Sequence, residues 1–253
     1  MSANPLLSET LHDPEHKCKR AARLRNIRLT LVLFFGFVAC FAPTTYALGH
    51  LPSYMVWHAS LMLVAWGLVL PMGVLLARFF KVTPEQNFPK IRDNQFWWNW
   101  HRGLQYGGLI VASFSAGLMW QKAGLGESMH AQLGLALIGL AWLQAVSSWV
   151  RGSKGGPTEK QLRGDHYDMT ARRIVFESWH KAFGWTCLIA ALAAIGSGFY
   201  QVGAPSTLYF GIPAVLVLIF TIVFSSLTKQ KRWVDTYKAI WGHAHLPKQK
   251  RTS

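Results

Sequence analysis

The chain has 253 residues, of which 51% are hydrophobic and only 15% are charged, a balance too apolar for an ordinary soluble domain of this size. Its formal net charge of +15 is also found in nucleic-acid-binding proteins, but a nucleic-acid surface leaves the long apolar segments unexplained. The composition therefore favours an all-α membrane protein and excludes a nucleic acid as its partner.

Six apolar segments with almost no charge follow one another along the chain. Most approach the roughly 20 residues that a helix needs to cross a bilayer core, where it satisfies its own backbone hydrogen bonds. We predict a six-transmembrane-helix bundle at 29–230, between a basic cytoplasmic leader at 1–28 and a basic and aromatic cytoplasmic tail at 231–253. The segments are Leu29 to Ala42, Tyr54 to Ala77, Leu104 to Trp120, Met129 to Val150, Phe183 to Tyr200 and Leu208 to Leu227.

The first segment also resembles a secretory signal. Leu29 to Ala42 follows a basic stretch and precedes the Tyr46-Ala47 dipeptide, which offers a small residue at the expected cut. Residues 29–47 are therefore either a retained helix or a cleaved signal. We prefer the retained helix because the basic leader is long and the span can extend to Leu51.

The basic residues are concentrated in alternate connections. Residues 1–28, 78–102, 151–181 and 229–253 hold 25 of the 26 Lys and Arg residues, and Lys122 is the exception. In a serpentine of six helices these four segments lie on one side, which the positive-inside rule assigns to the cytoplasm. We therefore predict a multi-pass protein of the plasma or inner membrane with both termini in the cytoplasm.

Four of the ten histidines lie near the N-terminal ends of four different predicted helices. Because consecutive helices run in opposite directions, His58 and His130 fall near the outer face, and His101 and His180 near the inner face. We call them the outer pair and the inner pair. Two imidazoles on facing helices can bind one flat metal macrocycle axially, and bundle cores are where such sites are built. The pattern predicts two haems within a four-helix core.

Two glycines accompany these histidines. Gly134 lies one helical turn deeper than His130, and Gly184 lies one turn deeper than His180. Residues four apart share a helix face, so a missing side chain there leaves room for a porphyrin against the backbone. Glycine is common in membrane helices, and the support is mild.

The predicted haems have further requirements. Propionates need cationic partners, and Arg102 and Lys181, which follow His101 and His180 directly, are candidates on the inner side. The three cysteines form no CxxCH motif, so the predicted cofactor is two non-covalent b haems. Bis-histidine ligation leaves iron no open position, which favours electron transfer over oxygen chemistry.

Several stretches resemble the cytochrome b561 superfamily, in particular its integral-membrane di-haem module. They are HASLMLVAWGLVLPMGVLLARFF, WWNWHRGLQYGG, SMHAQLGLALIGLAWLQ and ESWHKAFGWT, and the resemblance covers residues 55–230 in order. It implies a membrane oxidoreductase or electron carrier with six helices and two b haems, one between His58 and His130 and the other between His101 and His180. The implied function is transmembrane electron transfer from a donor at one face to an acceptor at the other.

The resemblance also bears on the electron donor. Members that use ascorbate have a basic segment at the inner end of the first ligand helix, where Arg78 and Lys81 stand here as candidate substrate-binding residues. The tyrosine-containing version of that segment is absent, since Ala77 precedes Arg78, and this difference weighs against ascorbate. The expected partners are a small molecule, a quinol or a redox protein, and a homodimer is another expectation.

Three alternatives stay open at this point. One is the haem-bearing, quinone-reactive membrane anchor of a larger oxidoreductase complex. Another is a transporter or di-iron hydroxylase-like enzyme, although the only closely spaced histidines, His243 and His245, lie in the tail. The last is a structural membrane protein in which all four histidines are incidental.

Overall fold

The computed structural model describes residues 14–81, 95–124, 126–151 and 171–230, and these residues are helical throughout apart from short connections. No strand occurs among them, which confirms the predicted all-α class. The elements are α1 (Pro14–Ala47), α2 (Ser53–Val64), a π-helical turn (Ala65–Val69), α3 (Leu70–Phe79), α4 (Gln95–Ala123), α5 (Met129–Ser147), α6 (Ala171–Gln201), the short α7 (Ser206–Tyr209) and α8 (Gly211–Lys229).

Five segments are long and apolar enough to cross a membrane, namely Arg20–Ala47, Ser53–Phe79, Met129–Ser147, Val175–Gln201 and Ser206–Lys229. Helix α4 is not among them although it has 29 residues. Its first third, QFWWNWHRG, is polar and aromatic, and the predicted apolar segment Leu104 to Trp120 lies in the remainder. Length and composition therefore give five candidate spans among the described residues, and the six-helix count stays a prediction.

Helix α1 extends beyond the predicted segment at both ends. It begins at Pro14 and continues through Pro43 to Ala47, so that residues 14–28 of the predicted leader are helical. Within its last turns the Thr44 hydroxyl donates to the Cys40 carbonyl at 2.7 Å. The predicted tail at 231–253 and the first 13 residues of the predicted leader lie outside the described residues.

The four predicted ligands lie on two antiparallel helix pairs. Helices α2 and α3 pack along α4, and we call this unit hairpin one; α5 packs along α6 to form hairpin two. Small residues allow close packing in hairpin one, where a Cβ added at Gly108 would lie 2.9 Å from Leu70 Cδ2. A core cluster joins the two hairpins and consists of Ala65, Trp66, Leu70, Ala112, Leu137, Cys187, Ala191 and Ala194.

The π-helical turn interrupts the long helix of hairpin one just before Pro71. The Leu70 N–H donates to the Ala65 carbonyl, five residues back, and Pro71 has no N–H to offer the preceding turn. Turns of this kind insert one extra residue and are frequent at functional sites. Here the turn lies between His58 and Gly73. Because it adds one residue, it changes the direction in which Gly73 faces relative to His58.

Helices α1 and α8 flank the hairpins. Helix α1 packs on α2 and the π turn, and α8 packs on α3 and α6, where Phe224 contacts the rings of Phe79 and Trp185. Most of their large apolar side chains are exposed. Such surfaces are stable against the hydrocarbon of a bilayer.

We expect Gly108→Val to lower the free energy of unfolding by about 1–3 kcal/mol, because the new side chain would overlap Leu70. The matched control is Gly117→Val on the same helix, where a Cβ would meet no atom within 4 Å. Thermal unfolding of the purified protein in detergent, read as loss of monodisperse elution, compares the two variants. Equal melting temperatures would contradict the close approach of α3 and α4.

Candidate functional site

Within each histidine pair, the two rings face each other between hairpin one and hairpin two. The ring centroids of His58 and His130 are 6.1 Å apart with their planes at 90°. Those of His101 and His180 are 6.2 Å apart with their planes at 83°. The structure therefore brings together both predicted pairs, and each pair takes one ring from each hairpin.

The two pairs lie at different depths in the bundle. His58 contacts Ser115 of α4, which is 14 residues beyond His101 on that helix. His130 contacts Ala194 of α6, which is likewise 14 residues beyond His180. At 1.5 Å per residue, the two levels are about 21 Å apart along the helices. The core cluster occupies the region between them.

Three of the four rings are held by backbone carbonyls of their own hairpin. Because a carbonyl oxygen only accepts, each Nδ1 carries the proton and donates it. This tautomer leaves the Nε2 lone pair, on the other edge of the ring, available to bind a metal. The bonds run from Nδ1 of His58 to Ser115 (3.1 Å), of His101 to Gly73 (2.9 Å) and of His130 to Ala194 (3.0 Å).

Sequence reasoning missed the residues that position these rings. Ser115, Gly73 and Ala194 act through their main-chain carbonyl oxygens, and a carbonyl acceptor has no side-chain signature to read. Gly198 was also missed: a Cβ there would lie 2.8 Å from Cε1 of His130. Its only signal in the sequence is its place in the small-residue run GSG.

The two predicted glycines have different surroundings. A Cβ at Gly134 would meet no atom within 4 Å, so this position borders open space, whereas one at Gly184 would lie in contact with the Gln144 side chain, 3.8 Å from its Nε2. Their contact with a haem stays a prediction.

The predicted propionate partners have protein contacts of their own. The guanidinium carbon of Arg102 lies 5.5 Å from the ring centroid of Trp98. Lys181 forms an ion pair with Glu177 one turn earlier at 3.4 Å. Both residues stand at the inner end, and their role toward propionates stays a prediction.

The predicted substrate-binding residues, Arg78 and Lys81, lie at the inner end of hairpin one. Arg78 is exposed in the last turn of α3. The Lys81 ammonium lies 5.3 Å from the ring centroid of Trp97. Both are placed where a donor at the inner face could meet them, and that role too stays a prediction.

The spacing within each pair fits a single iron. A metal–imidazole bond is about 2.0–2.1 Å and a ring nitrogen lies about 1.1 Å from the ring centre, so two axial imidazoles put their centroids roughly 6.3 Å apart. The observed distances of 6.1 and 6.2 Å agree with this value. Two imidazoles and the four nitrogens of a porphyrin complete six-coordinate iron.

Two buried donors at the inner level point to a further acceptor. Nε2 of Gln144 and Nε1 of Trp179 have no hydrogen-bond partner in the described part of the chain. Gln144 adjoins Gly184, and Trp179 directly precedes His180. A buried donor left unpaired costs about 1–3 kcal/mol. A carboxylate, the acceptor that a b haem carries, suits both donors.

Curated proteins with similar sequences reveal a family relationship. The chain is 29% identical over 150 residues, 58% of its length, to a cytochrome b561, DM13 and DOMON domain-containing protein of Arabidopsis thaliana. A cytochrome b561 and DOMON domain-containing protein of that plant is 25% identical over 186 residues, 71% of the chain. The chain is related to the cytochrome b561 family. Ferric-chelate reductase 1 of Homo sapiens is 31% identical over 123 residues, 47% of the chain.

The chain matches only part of those three proteins. It covers 14%, 35% and 20% of their respective lengths. No family model and no solved structure matches it. Together with the five candidate spans, the relationship establishes an integral membrane protein in a lipid bilayer and implies a b-type haem cofactor. The resemblance read from the sequence is thereby confirmed.

In the present chain, the substitution Gly198→Ala is expected to displace the His130 ring and to reduce the amount of haem bound at the outer pair. The control is Gly139→Ala on α5. Gly139 is exposed on the face opposite to His130, and a Cβ there would meet no atom within 4 Å. The haem-to-protein ratio is measured by pyridine haemochrome, with thermal stability as a second readout. If Gly198→Ala kept its full haem content, the close packing of His130 against Gly198 would not matter for haem binding, and the prediction would be wrong.

Proposed function

We propose that the chain is a transmembrane electron carrier with two b haems, each held by one histidine pair. The observation that carries the proposal is the meeting of two pairs of imidazoles, at 6.1 and 6.2 Å, at two depths of one bundle. The relationship to proteins named cytochrome b561 and to a ferric-chelate reductase supports electron transfer by haem.

The ligands divide between the hairpins. His58 and His130 would hold the outer haem, and His101 and His180 the inner one. A bound b haem supplies one-electron exchange between the ferric and ferrous states of its iron. The carbonyl bonds to Nδ1 fix the tautomer and orientation of His58, His101 and His130, so these rings need little rearrangement when charge arrives.

The region between the two levels is apolar. Trp66, Leu137 and Cys187 are buried in the core cluster that joins the hairpins. Apolar packing excludes water and ions from the middle of the bundle, so charge crosses this region as an electron only. The predicted excess of basic residues at the inner face favours an anionic donor there, with Arg78 and Lys81 as its candidate contacts.

The partners are part of the proposal. A small molecule, a quinol or a redox protein donates at the inner face, and a ferric chelate is a candidate acceptor at the outer face because one relative is named a ferric-chelate reductase. The second candidate function is the quinone-reactive membrane anchor of a larger oxidoreductase, since the relatives are much longer proteins. Activity that requires a co-purified redox subunit would favour the anchor.

His101→Leu is expected to lower the haem-to-protein ratio from roughly two to one, because the two pairs share no ligand. The control is His50→Leu, which removes an exposed imidazole just before α2. Haem extraction and a reduced-minus-oxidised spectrum measure the ratio and the remaining b-type absorbance. A wild-type ratio near one, or no reducible b-type absorbance, would overturn the two-haem proposal.

A further inference from the structure

Basic and aromatic side chains meet where α4 and α5 adjoin at the inner end. The guanidinium carbons of Arg102 and Arg151 lie 5.5 and 4.7 Å from the centroid of the same indole, that of Trp98. Two guanidinium groups over one ring concentrate positive charge there, and positive charge attracts anions. Their planar forks match the oxygens of a phosphate in particular.

The surface that continues from this cluster is apolar and is tied together by two indoles, that of Trp142 on α5 and that of Trp149 just beyond the end of α5. The Trp149 N–H donates to the Tyr106 hydroxyl, and the Trp142 N–H donates to the Ser113 hydroxyl, each at 3.0 Å. Both indoles thus contact α4. The two donors are seven residues apart in the sequence, and so are the two acceptors. Between and beside them the exposed fractions are 59% for Ile110, 47% for Val146 and 73% for Trp149. We call this surface the α4–α5 seam.

The end of the seam at Arg102 and Arg151 is the one that we expect at the depth of the lipid headgroups. Trp98 and Arg102 stand in the first turns of α4, and Arg151 follows the end of α5. Indole rings prefer the boundary between hydrocarbon and water, and the basic residues mark this end as the predicted cytoplasmic side. The cluster therefore faces phosphates, and the apolar part of the seam faces acyl chains.

We propose that the α4–α5 seam binds an anionic phospholipid, with its phosphate at Arg102 and Arg151 and an acyl chain along Ile110 and Val146. A soluble anion would use the two guanidinium groups alone, whereas the continuity of a basic head with an exposed apolar track matches an amphiphile. Basic pockets between transmembrane helices on the cytoplasmic side bind such lipids in other proteins. This assigns Arg102 a partner other than the propionate predicted from the sequence, and it does not depend on electron transfer.

The test measures lipid binding by the purified full-length chain in detergent. Native mass spectrometry counts the retained molecules of phosphatidylglycerol or phosphatidylcholine at matched concentrations. Arg151→Gln is expected to weaken phosphatidylglycerol binding roughly tenfold, since a charge-assisted bond to phosphate is lost. Arg28→Gln, which removes the same charge from an exposed position on α1, is the matched control and should change it less than about twofold.

Arg151→Lys keeps the charge but loses the fork, and it is expected to fall between wild type and Arg151→Gln; it also serves if the glutamine variant fails to fold. Equal losses in Arg28→Gln and Arg151→Gln would show general attraction to a basic chain and overturn the site. Displacement of the lipid by inorganic phosphate alone would replace it with a soluble-anion site. Haem content measured in the same samples separates the proposals, because a haem-free chain that still prefers phosphatidylglycerol rejects only the electron carrier.

Discussion

The hydrogen bond from an imidazole Nδ1 to a backbone carbonyl of the neighbouring helix is the interaction on which the rest of the bundle depends. It requires the two helices of a hairpin to approach closely, which explains why Gly73, Ser115 and Ala194 are small where the rings meet them. It also turns the second nitrogen of each ring away from its own hairpin. The two hairpins meet through their imidazoles at two levels, and these are the places where we propose that the haems bind.

The hairpins repeat one plan with different means. In each, the first helix carries the outer histidine and the second carries the inner one. A glutamine then packs against a glycine at the inner level: Gln105 against Gly73 in hairpin one, and Gln144 against Gly184 in hairpin two. The amide of Gln105 donates to the Leu70 carbonyl at 3.0 Å, next to the irregular turn before Pro71. Hairpin two has no such turn, and its Gln144 amide, which has no hydrogen-bond partner among the described residues, adds to the observations that favour a carboxylate at the inner level.

Helix polarity explains why the histidine pairs could be predicted from the sequence. Antiparallel helices put the N-terminal histidines of alternate helices at the same end, so the pairing of His58 with His130 needed no knowledge of side-chain contacts. The carbonyl acceptors and the niche at Gly198 could not be predicted, because they depend on the rotation and separation of neighbouring helices. Hydropathy likewise underrates α4, because its apolar stretch from Leu104 onward also contains polar side chains such as Gln105 and Ser113.

The proposed electron carrier would have to present different surfaces to a donor and an acceptor, and the two ends of this chain differ in charge. At the inner end Lys81 lies over the indole of Trp97, and Arg102 and Arg151 lie over that of Trp98, so positive charge gathers at this end. In the sequence, Lys122 is the only Lys or Arg in the predicted outer connections. There the ends of α1 and α2 enclose an open cavity of about 280 Å³ with largely aromatic and apolar walls. The basic end is thus suited to anions, the proposed lipid phosphate among them, whereas the cavity at the other end is largely apolar.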